Sequence, residues 1–357
     1  MKKVGLGLGV GIGVIALLAW MFSEPLTLRL VGRMAARNMQ SNLLDELPDG
    51  LHVGLCGAGS PLPDPERSGP CVFVVAGGQL YIVDSGSGSA RNLSRMRVPM
   101  GRIDGILLTH FHSDHIDGLG ELELQRWVNG AHREPVPIYG ASGVEQVVDG
   151  FNLAYTADRG YRVAHHGEAI VPSSGAGAVA RPFPMPANGE TALVVDRDGL
   201  TIRAFRVDHA PVEPAVGYRF DYGGRSVVIS GDTTKSANLQ AMAQGVDLLV
   251  HEALSPQLVG ALTEAATAAG RPNLAKITRD IVDYHTSPVE AAEVARDAGV
   301  DHLLFHHIVP PLLVAPMAGI FLDGVDVVYE GPVTLGDDGT LISLESGSDA
   351  IEVQDLL

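Results

Sequence analysis

The chain has 357 residues, of which 46% are hydrophobic and 19% charged, a composition that excludes a mostly disordered protein and allows one large domain or two modest ones. Its 42 acidic and 25 basic side chains give a formal net charge of −17, which argues against a dedicated nucleic-acid-binding protein, because such a protein presents a basic face to phosphates. The two cysteines, Cys56 and Cys71, are too few for a disulfide framework or a cysteine-rich zinc module. They could form one disulfide if the domain is exported, but the simpler expectation is two small buried side chains.

The N-terminal segment differs from the rest of the chain. Lys2 and Lys3 precede an uncharged run from Val4 to Phe22, and a helix of this length would span roughly 28 Å, close to the hydrocarbon thickness of a bilayer. No clean small-x-small cleavage site precedes the polar sequence, and Trp20 occupies the position of an interfacial aromatic residue. Residues 1–23 are therefore predicted to be an uncleaved membrane anchor, with a cleaved signal peptide as the alternative.

Residues 24–49 are predicted to form an amphipathic linker helix, since Arg29, Arg33 and Arg37 follow one another at intervals of four. Basic residues lie on both sides of the apolar run, so the positive-inside rule does not fix its orientation. The signal-like start favours a position of the following domain outside the cytoplasm, in the periplasm or an equivalent compartment, or secreted after cleavage. Residues 1–50 carry five basic and four acidic side chains, so the remainder, with 20 basic and 38 acidic ones, has a formal charge of −18.

Short apolar runs alternate with glycine- and aspartate-rich turns from residue 51 onward, which predicts a series of strands. The first four are Leu51–Cys56, Val72–Ala76, Leu80–Val83 and Ile106–Thr109. Two hairpins are predicted, one turning at Gly77-Gly78 and the other at Tyr222-Gly223-Gly224, because paired glycines favour tight turns between strands.

Helical patterns follow at residues 116–129, 141–156, 236–244, 274–284 and 288–298. The last is marked most clearly, because Ser287 and Glu290 form a capping box around Pro288 and Gly299 follows the far end. Residues 170–190, rich in Pro, Gly, Ala and Ser, are predicted to be a long loop. Strands followed by helices, and then a second block of the same kind, predict an α/β fold of four layers: an αβ/βα sandwich with two sheets inside and helices outside.

Three histidines and one aspartate follow a predicted strand within six residues, in the run His110-Phe111-His112-Ser113-Asp114-His115. In extended backbone, residues i and i+2 point the same way, so His110 and His112 can bind one ion. Asp114 and His115 fall where the chain turns into the helix predicted from Ile116, and they can face a second ion. Imidazole nitrogens and carboxylate oxygens suit zinc, so the segment predicts a metal site rather than a polar loop.

Later strand ends carry further candidate ligands. His209 closes an apolar strand, and Asp232 follows another strand, between Gly231 and Thr233. His306 and His307 end the strand that begins at Leu303. Each residue taken alone is more typical of a cap or of a hydrogen-bonded polar group, but two metal ions would need ligands beyond the first cluster.

In combination, these features resemble the metallo-β-lactamase fold superfamily, and within it the chain is most similar to the ribonuclease Z-like branch, over roughly residues 50–345. The matching motifs are His110–His115, a later single histidine, Ser230–Thr233 and a strand-end histidine, with support from Leu55–Pro61, Ile82–Gly88, His251–Ala253 and His285–Ser287. The resemblance implies the metallo-β-lactamase fold and a hydrolase domain over residues 50–357.

The resemblance also implies two zinc ions per chain. The implied ligands are His110, His112 and His209 for the first ion, and Asp114, His115 and His307 for the second, with Asp232 bridging both. His307 is preferred to His306 because the sequence Ile308–Pro311 after it matches the family pattern for the ligand histidine.

Such a centre supplies hydroxide at neutral pH, because coordination by zinc lowers the pKa of water to about 7. The hydroxide attacks an electrophilic carbonyl, phosphorus or sulfur atom. The family motifs imply that Asp114 orients this nucleophile, that His285 donates a proton to the leaving group, and that Glu252 fixes the tautomer of His285. The predicted catalytic residues are therefore Asp114, His285 and Glu252.

The pair of Glu252 and His285 favours the phosphoester hydrolysis of the ribonuclease Z-like branch, or hydrolysis of related small esters. Hydrolysis of a lactone or a β-lactam is the alternative, although typical β-lactamases lack the bridging aspartate. A non-catalytic membrane-anchored scaffold is less expected, because every ligand position is filled. Maturation of transfer RNA is disfavoured, because that activity implies a protruding basic arm, whereas residues 157–200 carry only scattered arginines.

The expected partners follow from these predictions. They are a small-molecule ester as substrate and a membrane contacted through the N-terminal segment. Long nucleic acid is not expected against an acidic body. A homo-oligomer is a further possible partner state that the sequence neither predicts nor excludes.

Overall fold

A computed structural model describes residues 20, 23–36, 39 and 42–357, which divide into two units, Met1–Glu46 and Leu47–Leu357. In the first unit, residues 23–36 are helical, and a short helix α1 spans Leu43–Glu46. No helix among these described residues is long and apolar enough to cross a membrane. The predicted anchor, residues 1–23, lies outside them except for Trp20 and Ser23, so the division into anchor, linker and hydrolase domain stays a prediction.

The second unit contains two mixed β-sheets. The first sheet has the order β15-β14-β1-β2-β3-β4-β5-β6 and the second the order β13-β12-β11-β10-β9-β8-β7. The strands of the first sheet are β1 Gly50–Gly57, β2 Cys71–Ala76, β3 Gln79–Val83, β4 Ile103–Leu107, β5 Val136–Ala141, β6 Ala178–Phe183, β14 Thr340–Glu345 and β15 Glu352–Asp355. Those of the second are β7 Ala192–Arg197, β8 Leu200–Arg206, β9 Val216–Tyr222, β10 Arg225–Ile229, β11 Leu248–Leu254, β12 His302–Val309 and β13 Val333–Leu335.

Helices cover the outer faces of the two sheets. In the first half they are α2 Ser89–Arg95, α3 Ser113–Ile116, α4 Leu119–Gly130, α5 Val144–Ala154 and α6 Thr156–His166. In the second half they are α7 Ala237–Met242, α8 Pro256–Ala268, α9 Pro272–Asp280, α10 Pro288–Ala298, α11 Pro316–Phe321 and α12 Val325–Val328. Helix α2 packs on β1 and α4 and α5 pack on β5, while α7 packs on β8 and α10 on β11 and β12. The predicted four-layer αβ/βα sandwich is confirmed.

The main hydrophobic core lies between the sheets. Leu51 and Val74 from the first sheet belong to the same buried cluster as Ile202, Tyr218 and Val250 from the second. Full burial of each such side chain contributes roughly 1.5–3 kcal/mol, so this interface dominates the stability of the sandwich. A second cluster joins the other face of the second sheet to α10.

Both predicted hairpins are present. Strands β2 and β3 pair through Ala76 and Gln79, and the intervening Gly77 and Gly78 have φ values of 54° and 80°. Glycine adopts positive φ angles without strain, which explains the tight turn. Strands β9 and β10 pair in the same way, from Tyr222 to Arg225.

The predicted loop at residues 170–190 is partly wrong. Residues Ala178–Phe183 form the edge strand β6, which pairs in parallel with β5. Its sequence has low strand propensity, but pairing with a neighbour overrides local propensity, and Pro182 is tolerated because an edge strand has one side free of the ladder. By contrast, α10 begins at Pro288 behind the predicted capping box of Ser287 and Glu290.

The expectation of two unpaired cysteines is wrong. Cys56 in β1 and Cys71 in β2 form a disulfide, with their Cα atoms 4.9 Å apart. Both cysteines are buried, as expected, but β1 and β2 are adjacent strands, and their register pairs Gly57 with Cys71. The disulfide closes the loop of residues 57–70.

Candidate metal centre

The first half of the centre is placed by the end of strand β4. The chain leaves β4 at Leu107 and runs through His110 and His112 into the short helix α3, whose buried residues are Asp114 and His115. Asp114 and His115 thus lie inside a helical turn that begins at Ser113, three residues before the predicted helix start. This turn directs both side chains back toward the strand ends.

The second half is placed by three strands of the other sheet. His209 follows β8, Asp232 follows β10, and His307 lies in β12. The hydroxyl of Tyr218 in β9 donates to the carbonyl of Leu108 at 2.6 Å, so the two sheets are joined beside these strand ends. Each half of the site therefore belongs to a different sheet.

A bulge in β12 orients His307. In the pairing with β11, Glu252 lies opposite His306 and Ala253 lies opposite Ile308, which leaves His307 as the extra residue. Its φ of 45° is unusual for a residue with a side chain. Bulges re-aim a side chain in this way beside functional sites. Here the bulge places the side chains of the consecutive His306 and His307 in different environments.

The first group of candidate ligand atoms comes from His110, His112, His209 and Asp232, and these atoms all lie within 4.8 Å of one another. His110 Nε2 lies 3.0 Å from His112 Nδ1 and 3.8 Å from Asp232 Oδ2. His209 Nε2 lies 3.9 Å from the same carboxylate oxygen. The spacing suits one cation at the centre of the group.

The second group comes from Asp114, His115 and His307. Asp114 Oδ2 lies 3.5 Å from His115 Nε2 and 3.4 Å from His307 Nε2. Asp232 Oδ2 also lies 3.4 Å from both of these nitrogens. Asp232 therefore stands between the two groups, the position expected of a bridging ligand.

Buried atoms without partners indicate that the centre is built for cations. Among the described residues, His115 Nε2, His209 Nε2 and Asp232 Oδ1 are buried and make no hydrogen bond. Orphaned buried polar atoms are rare in proteins, and metal ions bound in the two groups would satisfy all three. The donors are imidazole nitrogens and carboxylate oxygens, a set that fits zinc.

Electrostatics at the centre act differently on the individual candidate ligands. Burial lowers the pKa of His110 well below its usual value, and the nearby His115 lowers it further, which keeps the imidazole neutral. Burial alone would raise the pKa of Asp232, but His307 and His115 hold it well below its usual range. Neutral histidine and ionised carboxylate are the forms that bind metal. Burial alone would lower the pKa of His115, but Asp232 and Asp84 raise it well above its usual value, so a metal ion bound there would displace a proton from this imidazole.

The site also contains supporting contacts that the sequence did not reveal. Asp84, which follows β3 with a φ of 57°, accepts a hydrogen bond of 2.8 Å from His115 Nδ1. The backbone and hydroxyl of Thr109 donate to the same carboxylate at 2.8 and 2.7 Å. Asp84 lies in a motif that contributed to the family resemblance, but nothing in the sequence assigned it to His115.

His285 and Glu252 lie together beside the metal groups. His285 Nδ1 donates to Glu252 Oε1 at 3.1 Å, and the same oxygen accepts from the backbone amides of Thr233 and Thr286. Burial alone would lower the pKa of His285, but the Glu252 carboxylate raises it to about 9. His285 also shares a third candidate group with Asp232 and His307, so its ring faces the centre.

The remaining histidines lie apart from the ligand groups. His306 is buried, and neither ring nitrogen makes a hydrogen bond among the described residues. His302 contacts the hydroxyl of Thr334 at 2.8 Å, and His251 Nδ1 donates to the carbonyl of Glu252. Of the two adjacent histidines, His307 is thus the one that joins the centre.

Comparison with known proteins identifies the family of the chain. A family model described as the metallo-beta-lactamase superfamily matches residues 64–277. The chain belongs to the metallo-β-lactamase superfamily. Ribonuclease Z of Mycobacterium avium (strain 104) is 36% identical over 300 residues, which cover 84% of this chain and 100% of that protein. Ribonuclease Z of Mycolicibacterium gilvum (strain PYR-GCK) is 39% identical over 265 residues, covering 73% and 85%.

Solved structures of this superfamily share the fold. The metallo-β-lactamase fold protein YhfI from Bacillus subtilis has a TM-score of 0.58 at 18% identity, covering 83% of this chain and 100% of that one. The short form of human tRNase Z has a TM-score of 0.56 at 22% identity, covering 82% and 98%. The comparisons confirm the ribonuclease Z-like branch, and the chain is accordingly a metal-dependent hydrolase of ester bonds.

Proposed function

We propose that the chain is a binuclear zinc-dependent phosphodiesterase that acts on small phosphoesters. The observation that carries the proposal is the position of His285: it is held by Glu252 at 3.1 Å and shares a cluster with Asp232 and His307. A proton donor beside a metal centre is suited to substrates whose leaving oxygen must be protonated, as in phosphodiesters.

Two zinc ions are proposed because the candidate ligands form two groups that share Asp232. His110, His112 and His209 would hold one ion, Asp114, His115 and His307 the other, and Asp232 both. Bound zinc would activate water for attack and stabilise negative charge on the group under attack. The orphaned atoms of His115, His209 and Asp232 support this assignment.

The proposed roles of the protein side chains follow from their contacts. Asp114 orients the attacking water, since its carboxylate is held between His115 and His307 at 3.5 and 3.4 Å. His285 donates the proton that the leaving oxygen takes up. Glu252 accepts the Nδ1 proton of His285, which leaves the Nε2 proton for the substrate.

RNA is the second candidate substrate, because the relatives at 36% and 39% identity are ribonucleases Z. A small phosphodiester is preferred since the chain from residue 51 onward carries a formal charge of −18, which repels a long polyanion. Lactone or β-lactam hydrolysis remains the alternative chemistry. Assays with a small phosphodiester, an RNA, a lactone and a β-lactam distinguish these candidates.

The test is metal analysis of the purified full chain, followed by assays with bis(p-nitrophenyl) phosphate, a γ-lactone, a β-lactam and a precursor transfer RNA. The expected result is two zinc ions per chain and hydrolysis of the phosphodiester well above that of the other three substrates. Zinc-loaded protein that opens the lactone and leaves the phosphodiester intact would overturn the proposal. Efficient cleavage of the precursor transfer RNA alone would favour the second candidate.

The proposal extends to location: residues 1–23 anchor the chain, with the catalytic part outside the cytoplasm. The Cys56–Cys71 disulfide supports this, because disulfides persist in oxidising compartments and are rare in the cytosol. The test is alkylation of intact cells followed by membrane fractionation. Membrane-bound protein with both cysteines protected is expected, whereas soluble protein with two free thiols would contradict it.

A further inference from the structure

A cavity of about 440 Å³ opens beside His285. His285 lines it although its side chain is only 6% exposed, so the cavity leads directly to the proposed proton donor. A general acid must lie within hydrogen-bond reach of the oxygen that it protonates. The group expelled from the substrate would therefore lie in this space, which we call the leaving-group cavity.

One wall of the leaving-group cavity is apolar. It is formed by Leu254, Pro256 and Val282. Leu254 is buried and belongs to a small apolar cluster against which Val282 packs, so this wall is fixed by packing. Contact with such a wall favours a leaving group with an apolar body.

The charged residues in and around the leaving-group cavity are mostly acidic. Asp283 is exposed, and no ion pair or hydrogen bond of its side chain occurs within residues 42–357. Glu290 also lines the cavity, with its carboxylate accepting from Ser287 in the capping box.

Lys235 and the protonated His285 are the opposing cations. Lys235 Nζ lies 2.6 Å from Glu293 and His285 Nδ1 lies 3.1 Å from Glu252, so neighbouring carboxylates compensate both charges. The excess of carboxylates repels a leaving group that carries a negative charge in addition to that of the phosphodiester.

We infer that the leaving-group cavity selects phosphoesters whose leaving group is an uncharged alcohol with an apolar body. The inference rests on the proposed function and narrows its substrate class. In the reaction, the bond from phosphorus to the leaving oxygen breaks and a bond from phosphorus to the oxygen of water forms. His285 protonates the leaving oxygen and is reprotonated by the proton that water releases. The products are a phosphomonoester and a neutral alcohol.

Two methyl aryl phosphodiesters test the inference with the zinc-loaded full chain. One releases 4-(methoxycarbonyl)phenol, which is neutral, and the other releases 4-carboxyphenol, which carries a carboxylate. The measured quantity is the ratio of kcat/KM for the neutral over the anionic ester. We expect Asp283→Asn to lower this ratio about three- to tenfold, since it removes one repulsive charge. Lys235→Gln should raise the ratio, because it leaves Glu293 uncompensated.

Comparing ratios between proteins cancels the different reactivities of the two phenols and any loss of active protein. Asp149→Asn is the matched control, because Asp149 is an exposed carboxylate on α5 and the substitution removes the same charge. An unchanged ratio in both cavity variants, with both esters hydrolysed, overturns the inference alone. Failure of the wild type to hydrolyse either ester overturns the proposed function, and the inference with it.

Discussion

Glu252 connects two parts of the active site through a single oxygen atom. Its Oε1 accepts from His285 Nδ1 at 3.1 Å and from the backbone amides of Thr233 and Thr286 at 3.2 and 3.0 Å. Because Thr233 follows Asp232 directly, the same carboxylate fixes both the segment of the proposed bridging residue Asp232 and the proposed proton donor His285. The two are thus positioned relative to each other by one side chain.

The role of His285 is tested by His285→Ala. We expect turnover of a phosphodiester to fall on the order of 10²- to 10⁴-fold, the usual contribution of a general acid, with the zinc content unchanged. The exposed His165 of α6 supplies the control, since His165→Ala removes an imidazole outside the candidate ligand groups. Loss of zinc from the His285 variant would instead make this residue a ligand.

The adjacent histidines of β12 are expected to respond in opposite ways. His307→Ala should lower the zinc content, since His307 Nε2 lies 3.4 Å from both Asp114 and Asp232. His306→Leu should keep the zinc and leave the free energy of unfolding unchanged or raise it by about 1–2 kcal/mol, because it removes a buried imidazole that makes no hydrogen bond to any described residue. Burial already lowers the pKa of His306 to about 3.

Metal analysis and urea unfolding of both variants check this prediction. Loss of zinc from the His306 variant, with retention in the His307 variant, would reverse the assignment.

At the residue scale, local spacing and family resemblance predicted different parts of the site. The run from His110 to His115 could be recognised from spacing alone, because its candidate ligands are close in sequence. His285 and Glu252 could be identified only by the resemblance, since 32 positions separate them. Asp84 could not be assigned, because its contact with His115 depends on the parallel pairing of β3 and β4.

At the scale of elements, turns and caps were more predictable than edge strands. The hairpin at Gly77-Gly78 and the capping box of α10 are local, so the sequence contains their complete signals. Strand β6 forms because it pairs with β5, and no pattern in its own sequence indicates that pairing. The pairing of Cys56 with Cys71 has the same origin, since it depends on the register of β1 and β2.

The disulfide is expected to stabilise the first sheet. It spans a sequence separation of 15 residues, and closing a loop of this size contributes about 3 kcal/mol in the chain-entropy model. The double variant Cys56→Ser, Cys71→Ser should therefore lose about that much free energy of unfolding, measured in urea.

Reductant supplies the control for this prediction: it should destabilise the wild type and leave the double variant unaffected. Equal stability of oxidised and reduced wild type would contradict it.

At the scale of the whole catalytic unit, the metal centre bridges the two sheets. His110, His112, Asp114 and His115 follow a strand of the first sheet, whereas His209, Asp232 and His307 belong to the second. Metal bound to both sets would act as a cross-link between layers that otherwise meet mainly through apolar contacts. The two successive blocks of strands and helices predicted the four layers. The distribution of the candidate ligands over both sheets could be seen only from the sheet topology.

Removal of metal should therefore lower the stability of the whole unit. At a free zinc concentration a thousandfold above Kd, binding adds about 4 kcal/mol to the free energy of unfolding. Thermal unfolding with zinc and with a chelator should differ accordingly, and Asp232→Asn should reduce the difference. Asp149→Asn should preserve the full difference. Identical midpoints with and without zinc in the wild type would contradict the cross-link.

Because of the bulge in β12, the orientation of His307 depends on the number of residues in that strand as well as on their identity. If either His306 or His307 were deleted, the pairing with β11 could return to regular alternation, and one histidine would remain in the strand. That histidine would occupy the ordinary position opposite Glu252 and lose the φ of 45° that now distinguishes His307. A protein lineage that lost a single codon here would therefore lose the ligand that His307 offers to the proposed second metal ion, while a sequence comparison still counted a histidine at that position.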